Sequence, residues 1–143
     1  RFTKITNGKT SSWKFLLILK INLMYRIKKE FTFCASHTLN CLAPEHPCSR
    51  MHGHNYQIIF EFESETLNPA GFVIDYRELD DIKVWIDSTL DHKHLNDQIP
   101  LNPTAENIAH YLYLVFKEAY PQLVSVTVKE TPKTEAKYEL LFS

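Results

Sequence analysis

Two stretches of this chain alternate apolar and polar residues with a period of two, and this alternation limits the fold more than any other feature. The first stretch runs from Tyr25 to Phe33, interrupted at Lys29, and the second runs from His54 to Phe62. Successive side chains of a β-strand point to opposite faces, so this period indicates strands with one buried face and one wet face. We therefore predict two strands of an antiparallel sheet.

Two segments with helical spacing follow these strands. Their recurring apolar residues are Leu79, Ile82, Ile86 and Leu90, and then Ile108, Leu112, Val115 and Ala119. We expect Asp75 to cap the first helix. Either Asn102 or Thr104 is expected to cap the second helix, and Pro121 to end it.

Alternation returns near the end of the chain and predicts strands three and four around a turn that contains Pro132. The residues that alternate are Val124, Val126 and Val128, and then Tyr138, Leu140 and Phe142. The order ββααββ predicts an α+β fold, in which a four-stranded antiparallel sheet carries two helices on one face. The other face is expected to be solvated and carries Arg26, Lys28, Glu30, Glu61, Lys129, Lys137 and Glu139.

Composition narrows the class of protein. The chain has 143 residues, of which 44% are hydrophobic, enough for one core and one domain. Its formal net charge of −1 provides no basic field for nucleic acid, so we predict no nucleic-acid partner. The three cysteines are an odd number and favour free thiols in a reducing cytoplasm. A disulfide between Cys41 and Cys48 is the less favoured alternative.

Three histidines predict a metal site. His52 and His54 are two residues apart, so on a strand their imidazoles point to the same face. With His37 they provide three nitrogen ligands for Zn²⁺ and leave one tetrahedral position open, as in catalytic zinc sites. Cys48 precedes His52 by four residues. Its thiol is either the fourth ligand or a reactive base beside the metal.

Two further acidic segments add groups that a structural zinc site does not need. Asp91 precedes His92 at the end of the first predicted helix, and Glu130 ends the valine-rich third strand. The pair is a candidate acid–base dyad, although a histidine at a helix C-terminus also stabilises the helix dipole. Glu130 is either a substrate anchor or an ordinary salt-bridge partner.

With these motifs the chain resembles the 6-pyruvoyltetrahydropterin synthase and 6-carboxy-5,6,7,8-tetrahydropterin synthase family. The matching segments occur in family order and are 31–37, 48–56, 71–76, 90–97, 102–107 and 128–131. Three residues separate Cys48 from His52, which is similar to the bacterial carboxy enzymes. The resemblance implies a T-fold whose subunits close their sheets into a barrel, expected to be a hexamer built as a dimer of trimers.

The resemblance also implies a reaction and a role for each residue. The reaction is the zinc-dependent conversion of 7,8-dihydroneopterin triphosphate to 6-carboxytetrahydropterin, acetaldehyde and triphosphate in queuosine (7-deazaguanine) biosynthesis. The implied zinc ligands are His37, His52 and His54. Cys48, Asp91 and His92 are the implied catalytic residues, with the dyad from a different subunit, and Glu130 is the implied pterin anchor.

Two alternatives to this function are open. The first is a 6-pyruvoyltetrahydropterin synthase, which eliminates triphosphate from the same substrate and retains the side-chain carbons. The second is a zinc-stabilised oligomeric binding protein without catalytic activity. The presence of Cys48 together with the Asp91–His92 pair argues against the second alternative.

The resemblance begins near Met24, and the first 23 residues are treated separately. Their apolar run from Phe15 to Leu19 is too short for a signal-peptide core or a membrane span. We predict that residues 1–23 are an upstream, non-native extension and that residues 24–143 form one domain with no membrane contact. A targeting or anchoring helix is the less favoured alternative.

Overall fold

A computed structural model describes residues 23–141. Its strands are β1 (Tyr25–His37), β2 (His52–Ser64), β3 (Lys93–His94), β4 (Leu123–Thr131) and β5 (Thr134–Glu139). Its α-helices are α1 (Asp80–Thr89), α2 (Leu95–Gln98) and α3 (Ala105–Lys117), and 3₁₀ turns span Pro47–Ser49 and Tyr76–Leu79. The predicted α+β fold is confirmed.

The sheet has the strand order β3-β1-β2-β4-β5. Strands β1 and β2 pair antiparallel from Tyr25 opposite Ser64 to His37 opposite His52. The prediction of four strands was wrong by one, because β3 pairs in parallel with β1 at Ala35 and Ser36. The remaining pairs, β2 with β4 and β4 with β5, are antiparallel as predicted.

The helices pack on one face of the sheet and form the core. From the helical segments the core receives Leu79, Ile82, Ile86, Leu90, Ile108, Leu112 and Phe116, and from the strands Phe31, Phe33, Tyr56, Ile58, Phe60, Phe62, Val126 and Val128. Fully burying a side chain of this size contributes roughly 1.5–3 kcal/mol. This burial fixes which residues of each strand face the core, since a shift by one residue would turn every apolar side chain outward.

Several element ends differ from the prediction. Asp75 caps the 3₁₀ turn before α1, where its carboxylate accepts the backbone N–H of Arg77 at 3.0 Å. Thr104 is the N-cap of α3. This helix ends at Lys117, before Pro121, so Ala119 is exposed rather than on the buried face.

The C-terminal strand also ends earlier than predicted. Strand β5 ends at Glu139, although the N–H of Leu140 still donates to Val124 at 2.8 Å. The prediction for Phe142 and most of the prediction for residues 1–23 fall outside the described residues. Among residues 23–141 no helix is long and apolar enough to cross a membrane.

The start of β1 makes the role of the upstream segment testable. The first residue of β1 is Tyr25, and both Leu23 and Met24 are exposed. A chain that begins at Met24 retains every paired residue of β1, so we expect it to keep the unfolding midpoint of the full chain within a few degrees. Thermal unfolding of the two chains checks this expectation, and a collapse of solubility would show that residues 1–23 are structural.

The polar face of the sheet is less solvated than predicted, because Glu61 is only 3% exposed. Lys28 and Lys137 lie 2.7 and 2.8 Å from its two oxygens, and the Ser125 hydroxyl donates to it at 2.5 Å. Burial alone would raise the pKa of Glu61, but the hydrogen bonds from Lys137, Lys28 and Ser125 outweigh it and lower the pKa to about 2. The charged carboxylate therefore stabilises the fold.

This shift predicts acid sensitivity with a definite sign. The pKa of Glu61 falls from an ordinary 4.5 to about 2, so its stabilisation is complete above pH 4.5 and is lost as the pH falls towards 2. We expect Glu61→Gln to remove on the order of 2–3 kcal/mol near pH 7 and to flatten the acid loss of stability. Urea unfolding at several pH values measures both effects. The exposed Glu65→Gln is the matched control, and an equally steep acid loss in Glu61→Gln would refute the assignment.

Candidate metal centre

Three imidazoles meet at the end of the β1–β2 pair. His37 is the last residue of β1 and lies opposite His52, the first residue of β2, while His54 follows on the same face. One ligand atom from each ring lies within 4.8 Å of those of the other two. The structure thus brings together the three residues that the sequence proposes as metal ligands.

Backbone carbonyls determine which ring nitrogens are free. His37 Nδ1 lies 2.8 Å from the carbonyl oxygen of Pro103, and His52 Nδ1 lies 2.8 Å from that of Arg50. A carbonyl oxygen only accepts, so in both rings the hydrogen is assigned to Nδ1 and Nε2 holds a lone pair. The two Nε2 atoms are 2.9 Å apart. Two lone pairs at this distance repel each other unless a cation lies between them.

The third imidazole, that of His54, also has a ring nitrogen that requires a partner. His54 Nε2 is buried and has no hydrogen-bond partner among the described residues. An unpartnered buried polar atom costs about 1–3 kcal/mol, so its presence calls for a bound group. Burial, reinforced by the neighbouring His52, lowers the pKa of His54, and burial is also the main cause that lowers the pKa of His37. Neutral imidazoles are the form that binds a metal, and the donor set fits a divalent ion such as zinc.

Cys48 lies on the loop between the first two ligands. It is half-buried in the 3₁₀ turn Pro47–Ser49, and its N–H donates to Nδ1 of His46 at 3.1 Å. Its carbonyl accepts the N–H of Leu39 at 3.0 Å, which ties the turn to the segment after His37. The cluster of close ligand atoms consists of the three imidazoles and does not include the Cys48 thiol.

The Asp91–His92 pair is held at the edge of β1, and His92 lines the same cavity of about 550 Å³ as His54. One oxygen of Asp91 accepts the N–H of Cys34 at 2.8 Å, and the other lies 2.8 Å from Nδ1 of His92. These two contacts, in that order, lower the pKa of Asp91. The His92 backbone takes a left-handed φ of 56° and its N–H donates to the Cys34 carbonyl at 2.6 Å. The His92 side chain is 81% exposed.

Glu130 lies next to the metal centre on β4. Its Oε1 is 4.0 Å from Nε2 of His37. The carboxylate also lines a cavity of about 230 Å³, together with Leu39, Thr104, Ala105, Glu106, Thr134, Glu135 and Ala136. Burial and then the charge of Glu106 raise the pKa of Glu130. A half-buried carboxylate at a cavity wall is placed to accept N–H groups from a planar ligand.

Several groups that shape the site were not identified from the sequence. Two are the carbonyls of Pro103 and Arg50, which every residue type possesses and which therefore leave no signal in a sequence. A third is the buried Tyr56 hydroxyl, 3.2 Å from Nδ1 of His37, whose pKa is raised mainly by burial. The fourth is His46, assigned no role from the sequence, which accepts the N–H of Cys48.

Comparison with known proteins identifies the family. A model of the 6-pyruvoyl tetrahydropterin synthase family matches residues 26–140, so the chain belongs to this family. The 6-carboxy-5,6,7,8-tetrahydropterin synthase of Haemophilus influenzae is 27% identical in an alignment of 143 positions. The aligned part covers 81% of this chain and 99% of that protein. The enzyme of the same name from Bacillus subtilis is 31% identical in an alignment of 104 positions. The aligned part covers 64% of this chain and 69% of that protein.

A solved structure shows the same fold. The 6-pyruvoyl tetrahydropterin synthase of Caenorhabditis elegans superposes with a TM-score of 0.73 and 25% identity, covering 83% of this chain and 97% of that one. The predicted family and its T-fold are therefore confirmed. The prediction of an enzyme is confirmed as well, since the curated relatives are named as synthases.

Proposed function

We propose that this chain is a zinc-dependent 6-carboxy-5,6,7,8-tetrahydropterin synthase, a carbon–carbon lyase acting on 7,8-dihydroneopterin triphosphate. The observation that carries the proposal is a set of three imidazoles whose ligand atoms lie close together. The hydrogen of His37 and of His52 is assigned to Nδ1, which leaves Nε2 of both rings with a lone pair. Nε2 of His54 is buried without a partner among the described residues. The names of the curated relatives support the choice of substrate and product. By family resemblance the product serves queuosine (7-deazaguanine) biosynthesis.

The metal would be held by His37, His52 and His54. When bound there, the metal would supply a Lewis acid for the substrate's side-chain hydroxyls and would lower their pKa. The Pro103 and Arg50 carbonyls keep Nε2 of two of these rings free for the metal. The half-buried Glu130 carboxylate, beside His37, accepts N–H groups from the aminopyrimidine edge of the pterin and fixes the ring.

Cys48 would be the general base. It lies on the loop between His37 and His52, and its thiol is not part of the close ligand cluster, which supports a role as a base rather than as a ligand. A nearby cation favours the thiolate form, which removes a proton from a side-chain carbon of the substrate. Water supplies the second oxygen of the carboxyl group when the bond between the first and second side-chain carbons breaks and acetaldehyde leaves.

The exposed Asp91–His92 pair would serve the site of a neighbouring subunit. Asp91 fixes the tautomer and orientation of the His92 ring, which then exchanges protons with the substrate. The exposure of the His92 side chain supports a shared site, because an exposed ring is accessible to a neighbouring chain. Within residues 23–141, most of β1 lacks a strand partner on its β3 side, because β3 pairs with only two of its residues, and β5 forms the other open edge. Closure of these edges in a homohexamer, a dimer of trimers, would bring the dyad to its partner site.

Mixed subunits test the shared site. Cys48→Ala and His92→Ala are each expected to be nearly inactive alone. When the two variants are unfolded and refolded together, about a quarter of the sites receive both intact residues if assembly is random and each site spans two chains. We expect turnover to recover to that level, measured as triphosphate release. Failure to recover in correctly assembled mixtures would place the dyad and the thiol in one chain's site.

Product analysis tests the proposed reaction. The alternative is triphosphate elimination alone, the 6-pyruvoyl reaction, which the name of the Caenorhabditis elegans structure favours. Purified protein is incubated with 7,8-dihydroneopterin triphosphate, the pterin is identified by mass, and acetaldehyde is trapped with a hydrazine. The proposal expects 6-carboxytetrahydropterin with one acetaldehyde per triphosphate. A pyruvoyl product without acetaldehyde would favour the alternative, and an unchanged substrate would favour a binding protein.

The proposed cellular compartment is the cytoplasm, and the cysteines support it. Cys34, Cys41 and Cys48 are free thiols, which suits a reducing compartment such as the cytoplasm. The partners of this chain in the proposal are the pterin triphosphate and further copies of the chain. Zinc is its cofactor.

A further inference from the structure

Two asparagine side chains hold the segment that follows His37. Asn96 accepts the N–H of Thr38 at 2.9 Å and donates to the Thr38 carbonyl at 2.8 Å. Asn102 accepts the N–H of Asn40 at 2.9 Å and donates to the Asn40 carbonyl at 3.2 Å. Each side-chain amide thus pairs with the backbone of one residue as a neighbouring strand would. Backbone groups that no strand reaches are satisfied in this way.

Asn102 is itself fixed at the start of α3. Its carbonyl accepts the N–H of Thr104 at 2.8 Å and the side-chain amide of Asn107 at 2.9 Å. The next residue is Pro103, whose carbonyl lies 2.8 Å from Nδ1 of His37. The rigid position of Asn102 therefore determines where the carbonyl that orients the His37 ring is located.

The clamped segment also reaches Cys48. Leu39 lies between Thr38 and Asn40, and its N–H donates to the Cys48 carbonyl at 3.0 Å. Since Thr38 and Asn40 are both held by asparagines, Leu39 presents this N–H from a fixed backbone. The segment Thr38–Asn40 thus connects the last residue of β1 to the turn that carries the thiol.

We infer that Asn102 is a positioning residue that fixes the metal ligand His37 through Pro103 and the Cys48 turn through Asn40. The inference rests on the proposed function for the roles of His37 and Cys48. It gives the Asn-Pro-Thr segment a purpose beyond capping α3. Asn102 thus shares with Asn96 the support of the segment that connects the metal ligand His37 to the Cys48 turn.

Loss of the Asn102 side chain has two expected effects. The N–H and carbonyl of Asn40 lose their partners, so the Cys48 turn is held by fewer bonds and its thiol becomes more accessible. The segment that follows His37 is also no longer tied to Asn102, so the distance between the His37 ring and the Pro103 carbonyl is held less firmly. Changes to groups that orient a metal-bound histidine typically cost ~10–100-fold in metal affinity.

The test compares Asn102→Ala with Asn68→Ala. Asn68 also makes two side-chain bonds to backbone N–H groups, those of Ala70 and Phe72, in an exposed turn. Zinc affinity is measured by competition with a chromophoric chelator, and the rate at which iodoacetamide alkylates Cys48 is measured at saturating zinc. We expect Asn102→Ala to weaken zinc binding by ~10-fold or more and to speed alkylation several-fold, with Asn68→Ala equal to wild type in both. Asn102→Asp, which keeps only the acceptor, is expected to fall between them and replaces Asn102→Ala if that chain does not fold.

Neither readout uses substrate or turnover, so this inference can fail separately from the proposed function. Wild-type zinc affinity in folded Asn102→Ala and Asn102→Asp would overturn the link to His37, and unchanged alkylation would overturn the link to Cys48. A wild-type chain that binds zinc tightly but turns nothing over would refute the reaction and leave Asn102 in its role. A wild-type chain without zinc affinity would refute the metal centre and the His37 link together, and alkylation measured without zinc would then decide the link to Cys48.

Discussion

Replacement of Cys48 by alanine is expected to leave zinc bound and to lower turnover by ~10²-fold or more, the usual scale of general acid–base catalysis. The reason is the division of labour in the site. Three imidazoles form the close ligand cluster, while the thiol sits on the adjacent 3₁₀ turn. Metal content by mass spectrometry and the rate of triphosphate release measure the two quantities separately.

Cys41→Ala is the matched control for this experiment. Cys41 is an exposed free thiol on the same loop, so its loss should change neither quantity. His92 takes part in the same proton transfers as Cys48. A double variant with Cys48→Ala and His92→Ala should therefore be little slower than the slower of the two single variants. If Cys48→Ala lost its zinc, the thiol would be a fourth ligand, and if it kept full activity, another group would be the base.

Replacement of His52 by alanine is expected to remove the metal and with it essentially all turnover. The substitution takes away one of three nitrogen ligands and leaves Nε2 of His37 and of His54 without the geometry of a zinc site. We expect zinc affinity to fall by more than ~10²-fold, beyond the range seen for groups that only orient a ligand. Equilibrium dialysis against buffered zinc measures it.

His110→Ala serves as the control for this substitution. His110 lies in α3, its ring stacks on Tyr138 with a centroid distance of 4.5 Å, and it is not part of the ligand cluster. It should retain one zinc per chain. Full zinc occupancy in His52→Ala would remove the basis for the metal site.

The long antiparallel pair was predictable because burial enforces its period. Between Phe31 and His37 the buried residues alternate strictly, which is the pattern of a strand with one covered face. Strand β3 was not predictable. Its two residues contain no period, and the strand exists only because the chain after α1 returns alongside Ala35 and Ser36.

The metal ligands were predictable in part. A spacing of two residues puts His52 and His54 on one face from the sequence alone. That His37 joins them depends on the register of β1 and β2, in which His37 lies directly opposite His52. Register follows from packing across the whole pair and from the loop, so spacing along the chain does not reveal it.

The burial of the charged Glu61 on the sheet could not be predicted from the sequence for a related reason. The side of the sheet that carries Glu61 was predicted correctly from the alternation. Its burial arises because the register brings Lys28 to it from the neighbouring strand β1 and Lys137 from β5, which lies one strand beyond β4. A charge that is exposed in a single strand becomes buried when long side chains from other strands of the sheet cover it.

The account depends most on three imidazoles holding zinc with an open fourth position. X-ray absorption at the zinc edge of the loaded wild-type protein measures the ligands directly. The account predicts three imidazole nitrogens and one further oxygen, all at about 2.0 Å, with no sulfur. A sulfur neighbour at about 2.3 Å would contradict it, because Cys48 would then close the site and no longer be available as the base.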